Sequence, residues 1–298
     1  MPTKEARRDA PADPAEGKPE PASAKPLLTL KAVAWLVSLA ILALSSFIVW
    51  RQWHESYDLA EASVLNTARI LANQVEGSFD QADALLLSVA ERYQNARSKG
   101  QSAVGNLSEE VLQELPYYPL VARIGITDQS GEVVFNTSFQ GLQHQLINVS
   151  GRDYFKHAKA GENALQYEGP LQAKLNEEWA LVLARRIEDR SGQFQGVIFA
   201  VLPVQTIGRS FDKIDVGKTG VINLRTADLA QVVRQPALSG PGQEIGNRNV
   251  SARFREMLKA FPEREQDTFK TVAPIDGIER VYAYARFCLL YTSPSPRD

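Results

Sequence analysis

The rhythm of apolar positions changes several times along this chain. From Leu27 to Trp50 the only charge is Lys31, and Ala32–Trp50 is a run of 19 uncharged residues. As a helix, at 1.5 Å per residue, this run is about 28 Å long, close to the ~30 Å of a bilayer's hydrocarbon layer. Lys31 stands near one end and can snorkel, and Trp35, Trp50 and Trp53 suit the interfaces. The pattern predicts a transmembrane helix over residues 27–50. The run is longer than the ~7–15-residue apolar stretch of a cleaved signal peptide, and no A-x-A site follows it.

A second rhythm begins at residue 55. Residues 55–97 contain no proline and one glycine, Gly77. Leu65, Ala68, Ala72, Val75, Phe79, Ala82, Leu86, Val89, Tyr93 and Ala96 recur at steps of three and four. That stripe predicts one amphipathic helix about 60 Å long. It can pack on its own domain, or serve as a dimer seam and signalling rod. Pro116-Tyr-Tyr-Pro119 ends the helical region.

The rest alternates short strands with shorter helices. Residues 120–128 read as a strand with Val121, Ile124 and Ile126 as β-formers; Asp128-Gln-Ser-Gly131 is a tight turn, and residues 132–137 form the partner. Residues 150–161 read as a short helix, with Ser150 as its N-cap and Gly161 as its stop. Strands follow at 164–170, 177–187 and 193–204, then a helix at 205–212. A second, shorter copy of the same order comes next: a hairpin (218–224 and 229–234), a helix (249–260) and closing strands (267–272 and 280–287). The fold class expected is α+β: one transmembrane helix, a long N-terminal helix and two tandem lobes with antiparallel sheets.

Composition changes the picture at both ends. Residues 1–26 hold six Pro, six Ala, five cations, five anions and no aromatic residue. Such a segment buries too little to offset its chain entropy and is expected to be a disordered tail. Lys18, Lys25 and Lys31 precede or begin the apolar run, whereas Arg51 is soon followed by Glu55, Asp58 and Glu61. The N-terminus should then be cytoplasmic and the remainder outside, which in a bacterial host means an inner-membrane anchor and a periplasmic domain. Residues 288–298, Cys-Leu-Leu-Tyr-Thr-Ser-Pro-Ser-Pro-Arg-Asp, resemble read-through of cloning sequence. The chain is expected to be truncated near residue 287, with its output module missing.

The chain has 298 residues, 44% of them apolar, and a net charge of −2, a balance unlike that of a nucleic-acid binder. Its single cysteine, Cys288, excludes an internal disulfide and a Cys-rich metal site. His54, His144 and His157 are too scattered for a metal cluster. Gly217-Lys-Thr lacks the earlier glycine of a phosphate loop. No nucleophile elbow or H-E-x-x-H motif occurs. Neither an enzyme nor a cofactor is expected.

The residues from Gly151-Arg-Asp-Tyr-Phe155 through Glu178–Ile187, Gly192–Leu202, Val216–Ile222 and Val281–Arg286 resemble, in order and spacing, the double Cache (PDC-type, PAS-like) extracytoplasmic sensor domain, over about residues 51–287. The resemblance implies a membrane-distal PAS-like ligand-binding lobe at 115–204, after a signalling helix and connector at 51–114. A membrane-proximal lobe at 205–287 follows. It implies the sensor of a signal-transduction receptor whose output is a diguanylate cyclase (GGDEF), a histidine kinase or a chemotaxis domain. The R-D-Y-F version looks most like sensors of diguanylate cyclases. The implied mechanism is closure of the distal lobe on a ligand, biasing two packed states of a homodimer. A self-contained, membrane-anchored binding or scaffold protein is the alternative, and a periplasmic hydrolase a third.

Family members often bind carboxylates or amino acids through an Arg and aromatic residues. Arg152 and Tyr154 match the R-x-Y element, with Phe155 beside them. A guanidinium pairs bidentately with a carboxylate, aromatic rings wall a pocket, and a helix N-terminus favours an anion. Trp179 and Arg185, six apart on one strand, share a face; Arg185 and Arg186 point oppositely. The expected ligand site is therefore Arg152, Tyr154, Phe155, Trp179 and Arg185, for a small molecule such as a carboxylate. The amino-acid-binding subgroup carries Arg-x-Trp-Tyr where this chain has Arg-Asp-Tyr-Phe, and Gly151 stands where relatives often have Asp, so amino-acid specificity is not implied.

Overall fold

A computed structural model describes residues 25–138, 147–174, 177–237 and 244–287. The expectations for residues 1–24 and 288–298 lie outside them. By its internal contacts the chain divides into two units, Met1–Asp58 and Leu59–Asp298.

The longest element is one helix, α1 (Lys25–Lys99). Among the described residues it is the one helix long and apolar enough to cross a membrane. In the first unit its apolar side chains, Trp35, Leu36, Leu42 and Trp50 among them, are exposed.

In the second unit the heptad-like stripe is buried. Ala72, Val75, Phe79, Ala82, Leu86, Val89 and Tyr93 enter one apolar core with the sheet of the first lobe. The helix ends at Gly100, whose φ of 112° suits a residue without a Cβ. A helix that the sequence pattern did not separate, α2 (Gln101–Glu114), follows; Glu114 accepts both Arg92 guanidinium nitrogens at 2.8 and 2.7 Å and ties α2 back to α1.

The first lobe contains β1 (Arg123–Thr127), β2 (Val133–Asn136), α3 (Asp153–Lys159), β3 (Gln166–Gln172), β4 (Trp179–Glu188) and β5 (Phe194–Pro203). All pair antiparallel in the order β2-β1-β5-β4-β3. The last strand in sequence is thus the central strand in space. β4 and β5 are apolar on both sides because both sides are covered. Leu181, Leu183, Ile198 and Leu202 face α1. Ala180, Val182, Ala184, Val197, Phe199 and Val201 face α3.

The helix α4 (Val204–Phe211) leads into a second lobe: β6 (Ile222–Arg225), β7 (Gln231–Gln235), α5 (Ala252–Ala260), β8 (Gln266–Val272) and β9 (Glu279–Ala285). These strands form two separate two-stranded sheets, β6-β7 and β8-β9. Phe254 of α5 stacks on Phe269 of β8 with centroids 5.1 Å apart. Ile222, Leu224, Val232, Val233 and Phe287 join the α1 core, so that core runs through both lobes.

Candidate functional site

The R-D-Y-F segment starts α3, and the local geometry differs from the expected cap. Arg152, not Ser150, is the N-cap residue. Ser150 is held by a turn just upstream, where the Asn148 side-chain oxygen accepts both its N–H (2.9 Å) and its hydroxyl (2.6 Å). The capping acceptor comes instead from β3: Glu168 Oε2 accepts the Tyr154 N–H at 3.0 Å. The anion expected at this helix start is therefore the chain's own carboxylate. Gly161, at φ 107°, stops the helix as expected.

Arg152 Nη2 donates to the Gln172 carbonyl at 2.9 Å, and its Nη1 stands 3.8 Å from Glu168 Oε1. Tyr154 and Phe155 are both buried. The Tyr154 ring lies 5.9 Å from Phe199, and Phe155 meets Phe194 edge-on at 5.6 Å. Burial pushes the Tyr154 hydroxyl well above its ordinary pKa; Glu168 adds to the rise and Arg152 opposes it. Phe199 fits over β1 because Gly125 has no side chain: a Cβ there would stand 2.3 Å from the Phe199 ring.

Strand register adds two residues that the motif did not contain. Arg123 pairs with Val201, Val201 with Val182, and Val182 with Glu168. Directly opposed residues share a face, so these four form one row across the sheet beneath α3. A cation stands at one end, an anion at the other, and two valines between. Three strand spacings put the ends roughly 14 Å apart. Burial draws the Arg123 guanidinium below its usual pKa, with nearby Glu178 pulling it partly back. Alternation places Arg123 and Glu168 on a face in the sequence, but only cross-strand register puts them in one row.

Trp179 and Arg185 do share a face, but the opposite one. Trp179 packs against the α1 core. Arg185 Nε and Nη2 grip Asp83 of α1 at 2.5 and 2.6 Å, and Nη1 donates to the Asn163 carbonyl at 2.9 Å. The hydrogen bond to Asp83 raises the Arg185 pKa further. Of the five expected residues, the structure brings together Arg152, Tyr154 and Phe155. It sets Trp179 and Arg185 on the far side of the sheet. Arg186, on the α3 side, donates to the Ala158 carbonyl at the end of α3. Among the described residues there is no group of three or more His, Cys, Asp or Glu placed to hold a metal ion.

The α3 face thus combines an apolar floor with Arg123, Arg152 and two carboxylates, Glu168 and Glu178, while Arg186 on the same face is bonded to the end of α3. That arrangement can hold a small polar molecule by its charged ends while covering its apolar part.

A family profile described as Cache domain (dCache_1) matches residues 54–286. No curated protein matches the chain significantly. Among solved structures, the extracellular domain of the proposed histidine kinase rpHK1S-Z16 superposes with a TM-score of 0.64 at 22% identity, covering 77% of this chain and 96% of that one. The ligand-binding domain of the Pseudomonas fluorescens chemoreceptor CtaA, in complex with L-serine, gives 0.55 at 16%, covering 76% and 89%. That of the Pseudomonas aeruginosa PAO1 amino acid chemoreceptor PctB, in complex with L-Arg, gives 0.54 at 16%, covering 74% and 86%.

Proposed function

The chain belongs to the Cache domain family, and from that premise we propose that it is the extracytoplasmic sensor region of a membrane-anchored signalling receptor. It takes a small carboxylate on the α3 face of its first lobe. The carrying observation is the placement of Arg152 beside Tyr154 at the rim of an apolar floor, on the face that also bears Arg123. Glu168 already occupies the start of α3, so the ligand's carboxylate is addressed by the arginines rather than by the helix. Glu168 and Glu178 lie on the same side and would favour a cationic or hydroxyl end on the ligand.

In this reading α1 crosses the bacterial inner membrane with its N-terminus cytoplasmic, and ligand binding shifts two packed states of a homodimer. The R-D-Y-F element favours a diguanylate cyclase as output. The structural likeness to a histidine kinase and to chemoreceptors favours the second reading, one of those two outputs.

A thermal-shift panel of small carboxylates on the full chain tests the sensor. At least one is expected to raise Tm, and Arg152→Ala is expected to abolish that rise. A panel without a stabilising compound would overturn the sensor reading. A rise that survives Arg152→Ala would remove Arg152 from the site. Cyclic di-GMP measured with and without that compound, in cells carrying the full-length gene, separates the outputs.

A further inference from the structure

Several arginines that lose solvent in this chain are matched by carboxylates. Arg92 faces Glu114, Arg185 faces Asp83 and Arg186 faces Glu188. The second lobe departs from that pattern. Arg225 of β6 spends its Nη groups on neutral oxygens. Nη1 donates to the carbonyls of Leu229 (2.7 Å) and Asn247 (3.2 Å), and Nη2 to Gln231 Oε1 (3.1 Å) and the Asn249 carbonyl (3.3 Å). Burial pulls its pKa down to about 10, and the charges of Arg234 and Arg255 push it the same way.

Arg234 of β7 is the second case. Its side chain keeps 7% of its exposure. Nη2 donates to Asp276 at 3.0 Å, but Nε is buried without an acceptor. Asp276 is shared, because Arg280 binds both of its oxygens at 2.8 and 2.9 Å. Charges withdrawn from water are ordinarily paired. Here Arg225, Arg234 and Arg280 have one carboxylate among them, which leaves two positive charges uncompensated.

Strand register sets these groups on one face. Ile222 and Leu224 of β6 and Val233 of β7 enter the α1 core. By alternation Asn223, Arg225 and Arg234 take the opposite face. Asn223 stands directly across from Arg234, and Arg225 lies two residues further along β6. Asn223, Arg225, Arg234 and Arg280 all line one cavity of the second lobe. Asn249 and Ser251, which lead into α5, line it too, so the positive end of that helix lies at the wall. Two carboxylates of the same wall are exposed and already engaged: Asp215 accepts the Gly217 N–H at 2.8 Å, and Glu279 pairs with Lys270 at 3.0 Å.

We propose that this face of the second lobe binds a small dianion, a dicarboxylate or a hydrogen phosphate, through the Arg234 guanidinium and the Asn223 amide, with Arg225 supplying the second positive charge. A planar, forked guanidinium suits the oxygens of either group, and a double negative charge balances the two unmatched cations. The site shares no residue with the R-D-Y-F segment of the first lobe, so the two can be tested separately.

Isothermal titration of the full chain in lipid nanodiscs, with malonate and with hydrogen phosphate at constant ionic strength, tests the proposal. At least one of these dianions is expected to bind more tightly than acetate, a monoanion. Asn223→Asp places a carboxylate across from Arg234 at an exposed position. It is expected to raise the Tm of the unliganded chain and to weaken dianion binding about tenfold or more, roughly the worth of one charge-assisted hydrogen bond. Arg234→Lys keeps the charge but removes the fork and should weaken binding as well. Arg152→Ala should leave it unchanged. Tighter binding of malonate supports the proposal with a dicarboxylate as ligand, and tighter binding of hydrogen phosphate supports it with a phosphate. No binding of either dianion, or binding that tolerates both second-lobe substitutions, would overturn it. So would binding lost only in Arg152→Ala, which would assign the anion to the first lobe.

Discussion

The Arg185 guanidinium holds both carboxylate oxygens of Asp83 across the seam between β4 and α1. The two side chains keep about a fifth of their exposure, 22% and 19%. A shielded, two-pronged, charge-assisted contact of this kind is worth more than a surface ion pair. Asp83→Ala should therefore cost about 2 kcal/mol, which lowers Tm by roughly 4–8 °C in a domain of this size. A thermal melt checks it. Because the pair lies on the face away from α3, the ligand-induced rise in Tm should survive the substitution.

Phe79 is the deepest aromatic residue of the α1 stripe, 1% exposed and edge-on to Phe287 at 6.1 Å. It sits in the core shared by both lobes. Truncation to alanine leaves a cavity that rigid helix and sheet cannot close, and is expected to cost about 3–5 kcal/mol. Denaturant unfolding gives the number. A cost below about 1 kcal/mol would mean that α1 is not packed on the sheet as described.

Gly125 and Phe199 make a paired prediction. Gly125→Ala drives a methyl group into the Phe199 ring and should destabilise by about 1–3 kcal/mol through overpacking. Adding Phe199→Leu should recover part of that loss by vacating the space. A double variant no more stable than Gly125→Ala alone would refute the contact.

Asp276 sets an acid-side dependence. Hydrogen bonds from Arg280 (2.8 and 2.9 Å), with Arg234 also at 3.0 Å, pull its carboxyl down to about 2. An unfolded aspartate titrates near ~3.9. The folded state thus binds the proton more weakly, and the resulting stability is fully present above about pH 4 and is lost as pH falls toward about 2. Asp276→Asn should lower stability at pH 7, with the gap from wild type closing over that window. Urea midpoints at pH 7, 4, 3 and 2 measure it; a gap that stays constant would show that Asp276 is not paired as described.

Much of the architecture was legible because it is local. The step of three and four from Ala72 to Tyr93 marked the buried side of α1 before any partner was known. The turn Asp128–Gly131 and the alternation on either side located the first hairpin to within three residues at each strand end. The cap of α3 was not legible, because its acceptor, Glu168, belongs to another strand. Nor was the break at Gly100, since no proline stands between α1 and Pro116 to mark the end of one helix and the start of the next.

The candidate site divides in the same way. Period two alone established that Trp179 and Arg185 share a face and that Arg185 and Arg186 do not. It could not say which helix covers which face. Both faces of β4 are apolar, and both α1 and α3 offer an apolar side to meet them. Only tertiary packing sent Arg185 to Asp83 and left Arg152 with Tyr154, and only cross-strand register set Arg123 and Glu168 in one row. Apart from the separation of α2 from α1, sequence alone determined the elements, their order and the parity of each side chain, because these follow from the backbone's own periodicity. The tertiary structure decided which parities meet, because that depends on contacts between residues far apart in the chain.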